Sequence, residues 1–193
     1  MKSVLISIQP KWCELIASGK KILEVRKTRP NIKTPFKCYI YCTKRFYRKG
    51  DGYFQGKYCG KVIGEFVCKS ILPISITYSD PNNKIALREF PYTCLSDKEI
   101  MDYLGNGKQG WGWHISNLVI YDKPKELSEF ITFCPEWEKE YFDTKCLRCK
   151  CYFSNCADMR HECTVEGEKP LTRPPQSWCY VAHPTEKGGE VNN

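Results

Sequence analysis

The sequence predicts an α+β domain in which short peripheral helices flank a closed or partly closed β-barrel and a cysteine-rich insertion precedes the last strand. Three observations predict it. Runs rich in β-branched and aromatic residues recur along the chain with only two short helical patterns between them. The stretch from Cys134 to Pro170 breaks that rhythm, being crowded with cysteine and charge and holding neither a helical nor a strand period. The length of 193 residues, 41% of them hydrophobic, suits one domain with a sizeable core. The expected organisation is a single domain over 1–185, with 134–170 as its insertion, and a polar, glycine-containing tail over 186–193 with too little apolar surface to order.

Val4 to Ile8 reads as the first strand. Pro10 follows where its missing N–H is harmless, at the first position of a helix that places Trp12, Leu15 and Ile16 on one face and stops at Gly19. Ile22 to Lys27 alternates as a strand, with Leu23 and Val25 on one face and Glu24 and Arg26 on the other. Phe36 to Tyr41 and Lys61 to Lys69 are further strands, separated by a loop from Lys44 to Tyr58 rich in Arg, Lys, Gly and Tyr. Ser96-Asp97-Lys98-Glu99 is a capping box opening a short helix that turns Ile100, Met101 and Leu104 inward and ends near Gly105. Gly112 to Tyr121 reads as one long strand or a bent pair, Pro124 to Leu127 turns away from it, and Gln176 to Ala182 is the last strand.

Charge and cysteine narrow the setting. The formal net charge of +8 and a pI near 8.8 favour a polyanionic partner, through screened attraction to phosphates. Thirteen cysteines stand behind an apolar run, Val4 to Ile8, that is too short for a secretory leader, so a reducing, cytoplasmic location is expected. The cysteines are accordingly read as buried small hydrophobes, metal ligands or nucleophiles before disulfides. No run approaches the roughly 18 apolar residues that cross a bilayer, so no membrane partner is expected.

The segment Gly19-Lys20-Lys21-Ile22-Leu23-Glu24-Val25-Arg26 fits G-x-K-x-x-E-x-R and carries the chemistry. Lys21 and Arg26 can neutralise phosphate, and Glu24 can accept from a base edge or act as a general base. An ion-paired, solvated strand face is the alternative. With this pattern, the opening Leu5 to Trp12, the central Gly60 to Phe66, Gly112 to Leu118 and the closing Pro175 to Val181, the chain resembles the ASCH domain, a relative of the RNA-binding PUA fold. The resemblance covers most of the chain and implies a PUA-like mixed β-barrel. It also implies a cleft between the first helix and the barrel, lined here by Ser7, Gln9, Lys11, Lys21, Glu24, Arg26 and Lys27. One branch of the family removes an acyl group from a modified cytidine using a lysine, a threonine and a glutamate. Lys21 matches the lysine, but Glu24 stands where that branch has threonine, and Glu65 is a guess for a second carboxylate. Another branch resembles ribonucleases, for which Lys21, Glu24 and Arg26 would form a minimal catalytic set of base, acid and phosphate clamp.

Other residues have two readings each. Trp12 and Trp178 neighbour the cleft segments and are candidate stacking planes for a base, although tryptophans in such strands commonly fill cores. His114 should face away from Trp111 and Trp113, which suits a structural histidine better than a catalytic one. Lys44-Arg45-Phe46-Tyr47-Arg48-Lys49 interleaves cations with aromatics as single-strand nucleic-acid surfaces do, or is simply a solvated basic loop.

Three function classes follow. The first is binding of RNA or a modified nucleotide in the motif cleft, the second a hydrolase acting there as ribonuclease or deacylase, the third a zinc-dependent protein-interaction module working through the insertion. Cys146, Cys149, Cys156 and Cys163 match a compact, four-thiolate structural zinc site, with His161 in reserve and Cys151 too close to Cys149 for an easy chelate. A cluster of free thiols is the alternative. Protein purified without added zinc is expected to carry one tightly held zinc per chain, and its removal should loosen the insertion first. Elemental analysis decides this, and a metal-free chain would refute it.

Overall fold

Burial on both faces of its first strand organises this chain. The computed structural model describes residues 3–44, 47–49, 52–54, 58–74, 90–105, 107–132 and 170–182. Strand β1 (Ser3–Ile8) is buried along its whole length. Its side chains divide by parity: Val4, Ile6 and Ile8 enter one core, and Leu5 enters another. A strand covered on both sides needs no polar alternation, which is why Val4 to Ile8 reads as a nearly unbroken apolar run.

Helix α1 (Pro10–Ala17) follows with Pro10 at its start, and it buries Cys13 and Ile16 with Pro10, leaving Trp12 and Leu15 half-buried at the rim of that face. Strands β2 (Leu23–Arg26), β3 (Phe36–Cys42), β6 (Val62–Ile74), β7 (Gly110–Lys125), β8 (Ile131–Thr132) and β9 (Trp178–Ala182) join β1 in a seven-stranded sheet of order β2-β7-β6-β3-β1-β9-β8. Strands β4 (Tyr47–Lys49) and β5 (Gly52–Phe54) pair separately, so the basic loop holds a small antiparallel ribbon. Helix α2 (Asp97–Leu104) begins with the expected capping box at Ser96 and buries Ile100, Met101 and Leu104.

The sheet is mixed because β1 and β3 run parallel while the other pairs are antiparallel. The parallel pair requires a crossover, and α1 with β2 supplies it. The expected closed or partly closed barrel appears among the described residues as an open sheet, with no ladder joining its edge strands β2 and β8. The pairing of β6 with β7 carries repeated register shifts, the kind of irregularity that bends a strand and increases its local twist. Both strands outrun the sequence expectation. β6 continues past Lys69 to Ile74, and β7 is one strand of 16 residues that absorbs Pro124 before turning at Leu127–Glu129.

Three cores result. The first joins β1, β3, β6, β7 and α1 around Ile6, Cys38, Phe66 and Trp113; the second, on the other face, gathers Leu5, Tyr39, Phe130 and Val181. The third packs Leu23 and Val25 of β2 against Ile74, Ile100 and Leu104. Pro170 bridges to Ile131, whereas Cys146, Cys149, Cys156, Cys163 and His161, like the tail 186–193, lie outside the described residues. No helix among the described residues is long and apolar enough to cross a membrane.

Gly64 marks where β6 and β7 press closest, since a Cβ there would stand 2.3 Å from the Val119 carbonyl oxygen. Backbone cannot rotate aside as a side chain can. Gly64→Ala is therefore expected to lower stability by at least the roughly 1–3 kcal/mol typical of overpacking. Urea unfolding measures it, and a change below about 0.5 kcal/mol would mean that the two strands separate easily.

Candidate functional site

Gly19 creates the site by ending α1 with a φ of +72°, in the left-handed region that glycine enters without steric cost. Its N–H donates to the Ile16 oxygen, and the Lys21 N–H reaches back to the Leu15 oxygen at 3.0 Å. The chain thus folds under the helix before β2 begins. Pairing with β7 then sets Glu24 opposite Trp113 and Arg26 opposite Trp111, on the face of the first core, while Leu23 and Val25 turn to the third.

Three charged side chains converge there almost out of water, with Lys21 1%, Glu24 6% and Arg26 7% exposed. The Glu24 carboxylate receives Lys21 Nζ on one oxygen at 3.3 Å and an Arg26 terminal nitrogen on the other at 3.0 Å. Lys21 Nζ also donates to the carbonyl oxygens of Leu23 at 2.9 Å and Thr93 at 2.6 Å. These contacts supply an acceptor for each of its three protons. Arg26 donates to the Ser7 carbonyl oxygen at 2.6 Å, but its Nε is buried with no hydrogen-bond partner. The alternative of an ion-paired, solvated face holds only in its first half: the charges are paired, and they are buried.

Around this trio the lining residues take distinct places. Ser7 turns its hydroxyl to the Pro175 oxygen at 2.7 Å and offers Arg26 its backbone instead. Gln9 is exposed at the helix start, where its carbonyl accepts from the N–H groups of Trp12 and Cys13. Lys11 is 53% exposed, pairs with Glu99 at 3.6 Å and lies 4.2 Å from the centre of the Trp12 ring. Lys21 Nζ lies 5.4 Å from the same ring, so Trp12 caps the buried ammonium. Lys27 is exposed above Tyr103. Trp178 donates from its indole N–H to the Thr28 hydroxyl at 3.0 Å and leans on Trp113 and Tyr180.

Residues the sequence did not single out complete the rim. Arg29 lies 4.4 Å over the Trp111 ring, and Thr93 delivers its carbonyl from a single 3-10 turn, Phe90–Thr93. No local pattern announces Thr93, because only tertiary folding brings it to Lys21. Glu65 does not join the trio. It pairs across the strands with Tyr39, on the second core's face, and accepts from Lys37 at 2.8 Å and from the Tyr121 hydroxyl at 2.6 Å. Burial pushes the Glu65 carboxyl up, but the bonds from Lys37 and Tyr121 outweigh it and hold the group below the ordinary range. His114 faces away from Trp113, as its strand position predicted, and with Ile22, Leu23 and Tyr92 lines a hollow of about 270 Å³. Its Nδ1 is buried without a partner.

The fold has counterparts among solved structures. The crystal structure of the ASCH protein from Zymomonas mobilis aligns over 93% of this chain and 87% of its own, with a TM-score of 0.54 and 17% identity. Two single-residue variants of that protein align with TM-scores of 0.56 and 0.50, at 16% and 20% identity, covering 93% and 66% of this chain and 88% and 77% of theirs. At such identity the likeness is one of fold. No family model and no curated protein sequence matches the chain.

The burial of the trio has a direct energetic consequence. Lys21→Met would leave Glu24 with one cation and two carbonyls without their donor, so a loss of about 3–5 kcal/mol is expected in chemical denaturation. Lys27→Met, on the exposed rim, should change stability by less than about 0.5 kcal/mol. Equal small effects at both positions would return the trio to the status of a surface ion pair.

Proposed function

Taking this ASCH-like fold as the premise, we propose that the chain binds RNA or a modified nucleotide at the cleft around Lys21, Glu24 and Arg26. The observation that carries this reading is the unpartnered, buried Nε of Arg26 within a trio of two cations and one carboxylate. An anionic oxygen would satisfy both the orphaned donor and the excess positive charge. The surroundings suit the rest of such a ligand, since exposed Lys11, Lys27 and Arg29 stand beside Trp12, Trp111 and Tyr103, and bases stack on aromatic rings.

The roles divide accordingly. Arg26 meets phosphate, Glu24 orients Arg26 and reads donors on the ligand, and Lys21 holds Glu24 in place from beneath. Ser7 and Gln9 shape the floor through their backbone oxygens, and Trp12 and Trp178 wall the cleft. Both oxygens of Glu24 already face cations, which favours recognition over proton abstraction and therefore binding over turnover. A structural zinc on Cys146, Cys149, Cys156 and Cys163 belongs to the same proposal as the element that holds the insertion together.

Salt titration of binding to short single-stranded RNA and to a nucleotide panel tests the reading. Affinity should fall as salt rises, and Arg26→Ala should flatten the log–log slope by about 0.7, the share of one phosphate contact on a single strand. Arg26→Lys keeps the charge but loses the fork, and should recover the slope without the affinity. Salt-independent binding would overturn the proposal, and a slope altered only by changes at Arg48 and Lys49 would move the site to the β4–β5 ribbon. Turnover of RNA or acylated cytidine that Glu24→Gln abolishes would replace binding by catalysis.

A further inference from the structure

Cys42 ends β3, and Cys59 sits in the tight return that leads into β6. Their strands hold each other at that point: the Cys42 N–H donates to the Lys61 oxygen at 2.9 Å, and the Gly60 N–H donates to the Cys42 oxygen at 2.7 Å. The two sulfurs face each other 3.8 Å apart. Cys42 is 3% exposed and Cys59 is half-buried, and neither is held in a disulfide. Neither takes part in the cleft.

We propose that Cys42 and Cys59 form a redox-active dithiol that a hydroperoxide closes into a disulfide. The sulfurs need only approach from 3.8 Å to the bonding distance of about 2.05 Å, a movement that side-chain rotation can supply while the flanking backbone bonds persist. Chemistry favours this pair over the buried Cys38 and Cys68. Interaction with Cys13, opposed by burial and aided by Cys59, draws the Cys42 thiol below its ordinary range, whereas burial pushes Cys38 up and Cys68 up to about 12.

The more accessible Cys59 meets the oxidant. Its sulfur attacks the terminal oxygen of the hydroperoxide, the O–O bond breaks, and the thiol proton leaves with the departing alcohol, giving a sulfenic acid. Cys42 then attacks that sulfur, the S–O bond breaks, and the hydroxide takes the Cys42 proton and departs as water. Two thiols are oxidised by two electrons in total, and the hydroperoxide is reduced to an alcohol and water. The new bond would close a ring over residues 43–58, the segment that holds the β4–β5 ribbon and its cations Lys44, Arg45, Arg48 and Lys49. Oxidation would thereby clamp the base of the basic ribbon.

The test uses the full chain, reduced, desalted and treated with equimolar hydrogen peroxide, then blocked with N-ethylmaleimide and mapped by peptide mass spectrometry without reduction. A peptide pair joined through Cys42 and Cys59 is expected, with fragmentation separating Cys42 from Cys38 in their shared tryptic peptide. The pair should vanish on reduction and be missing from Cys59→Ser. Full alkylation of both cysteines after peroxide, or a bond from Cys59 to Cys13 instead, would overturn the proposal. The wild-type map decides the matter even if the variant does not fold.

Discussion

A lysine ammonium that is 1% exposed must find its hydration shell inside the protein, and Lys21 finds three acceptors on two separate pieces of chain. The Leu23 carbonyl and the Glu24 carboxylate belong to β2, and the Thr93 carbonyl to the 3-10 turn within the long β6–α2 connection. Stripping an ion of water costs several kcal/mol, and only well-formed partners offset it. Correct assembly of α1, β2 and the turn is therefore a condition for burying Lys21 at all. Arg26 extends the same condition to β1 through the Ser7 carbonyl. The geometry of the motif and the docking of β2 at the sheet edge rest on this one set of interactions.

The sheet explains why such a set is tolerated. Covering both faces of β1 and β3 leaves apolar neighbours on either side, and the charged trio sits where that coverage ends, at edge strand β2. The half-buried Trp12, Trp111 and Trp178, packed against the core that holds Trp113, form the boundary between the dry core and the wet rim. Each has a large apolar surface, and Trp178 also has an indole N–H that finds the Thr28 hydroxyl. Cations stand over Trp12, Trp111 and Tyr103, which holds Lys11, Arg29 and Lys27 against aromatic surface without burying their charge.

How much of this was legible in the sequence depends on how local each determinant is. The capping box at Ser96, the stop at Gly19 and the parity of Leu23 to Arg26 are written within a few residues, and each appears where the pattern put it. The motif's charges were legible as a set. Their burial was not, because nothing near Lys21 in sequence reveals the Thr93 carbonyl 72 residues away. Glu65, a guess for a second carboxylate, falls elsewhere for a related reason: its strand was evident, but which face of β6 looks to the trio depends on register with β3 and β7. Closure of a barrel was likewise a question of distant edges, and the ladders given by the described residues leave β2 and β8 apart.

The formal charge of +8 gains a sharper meaning from this arrangement. Exposed lysines and arginines draw polyanions in from several ångströms, but salt screens them within about 8 Å at physiological ionic strength, and they select little. Arg26 is different, since its orphaned Nε lies in a region of low dielectric where a hydrogen bond to an anion is strong and a misfit is costly. Under the proposed function the rim would govern how fast an anion arrives and how salt weakens the encounter, and the buried trio would govern which anion stays. Holding Glu24 between Lys21 and Arg26 fixes both cations in place, so on that proposal little ordering would remain to be done on binding.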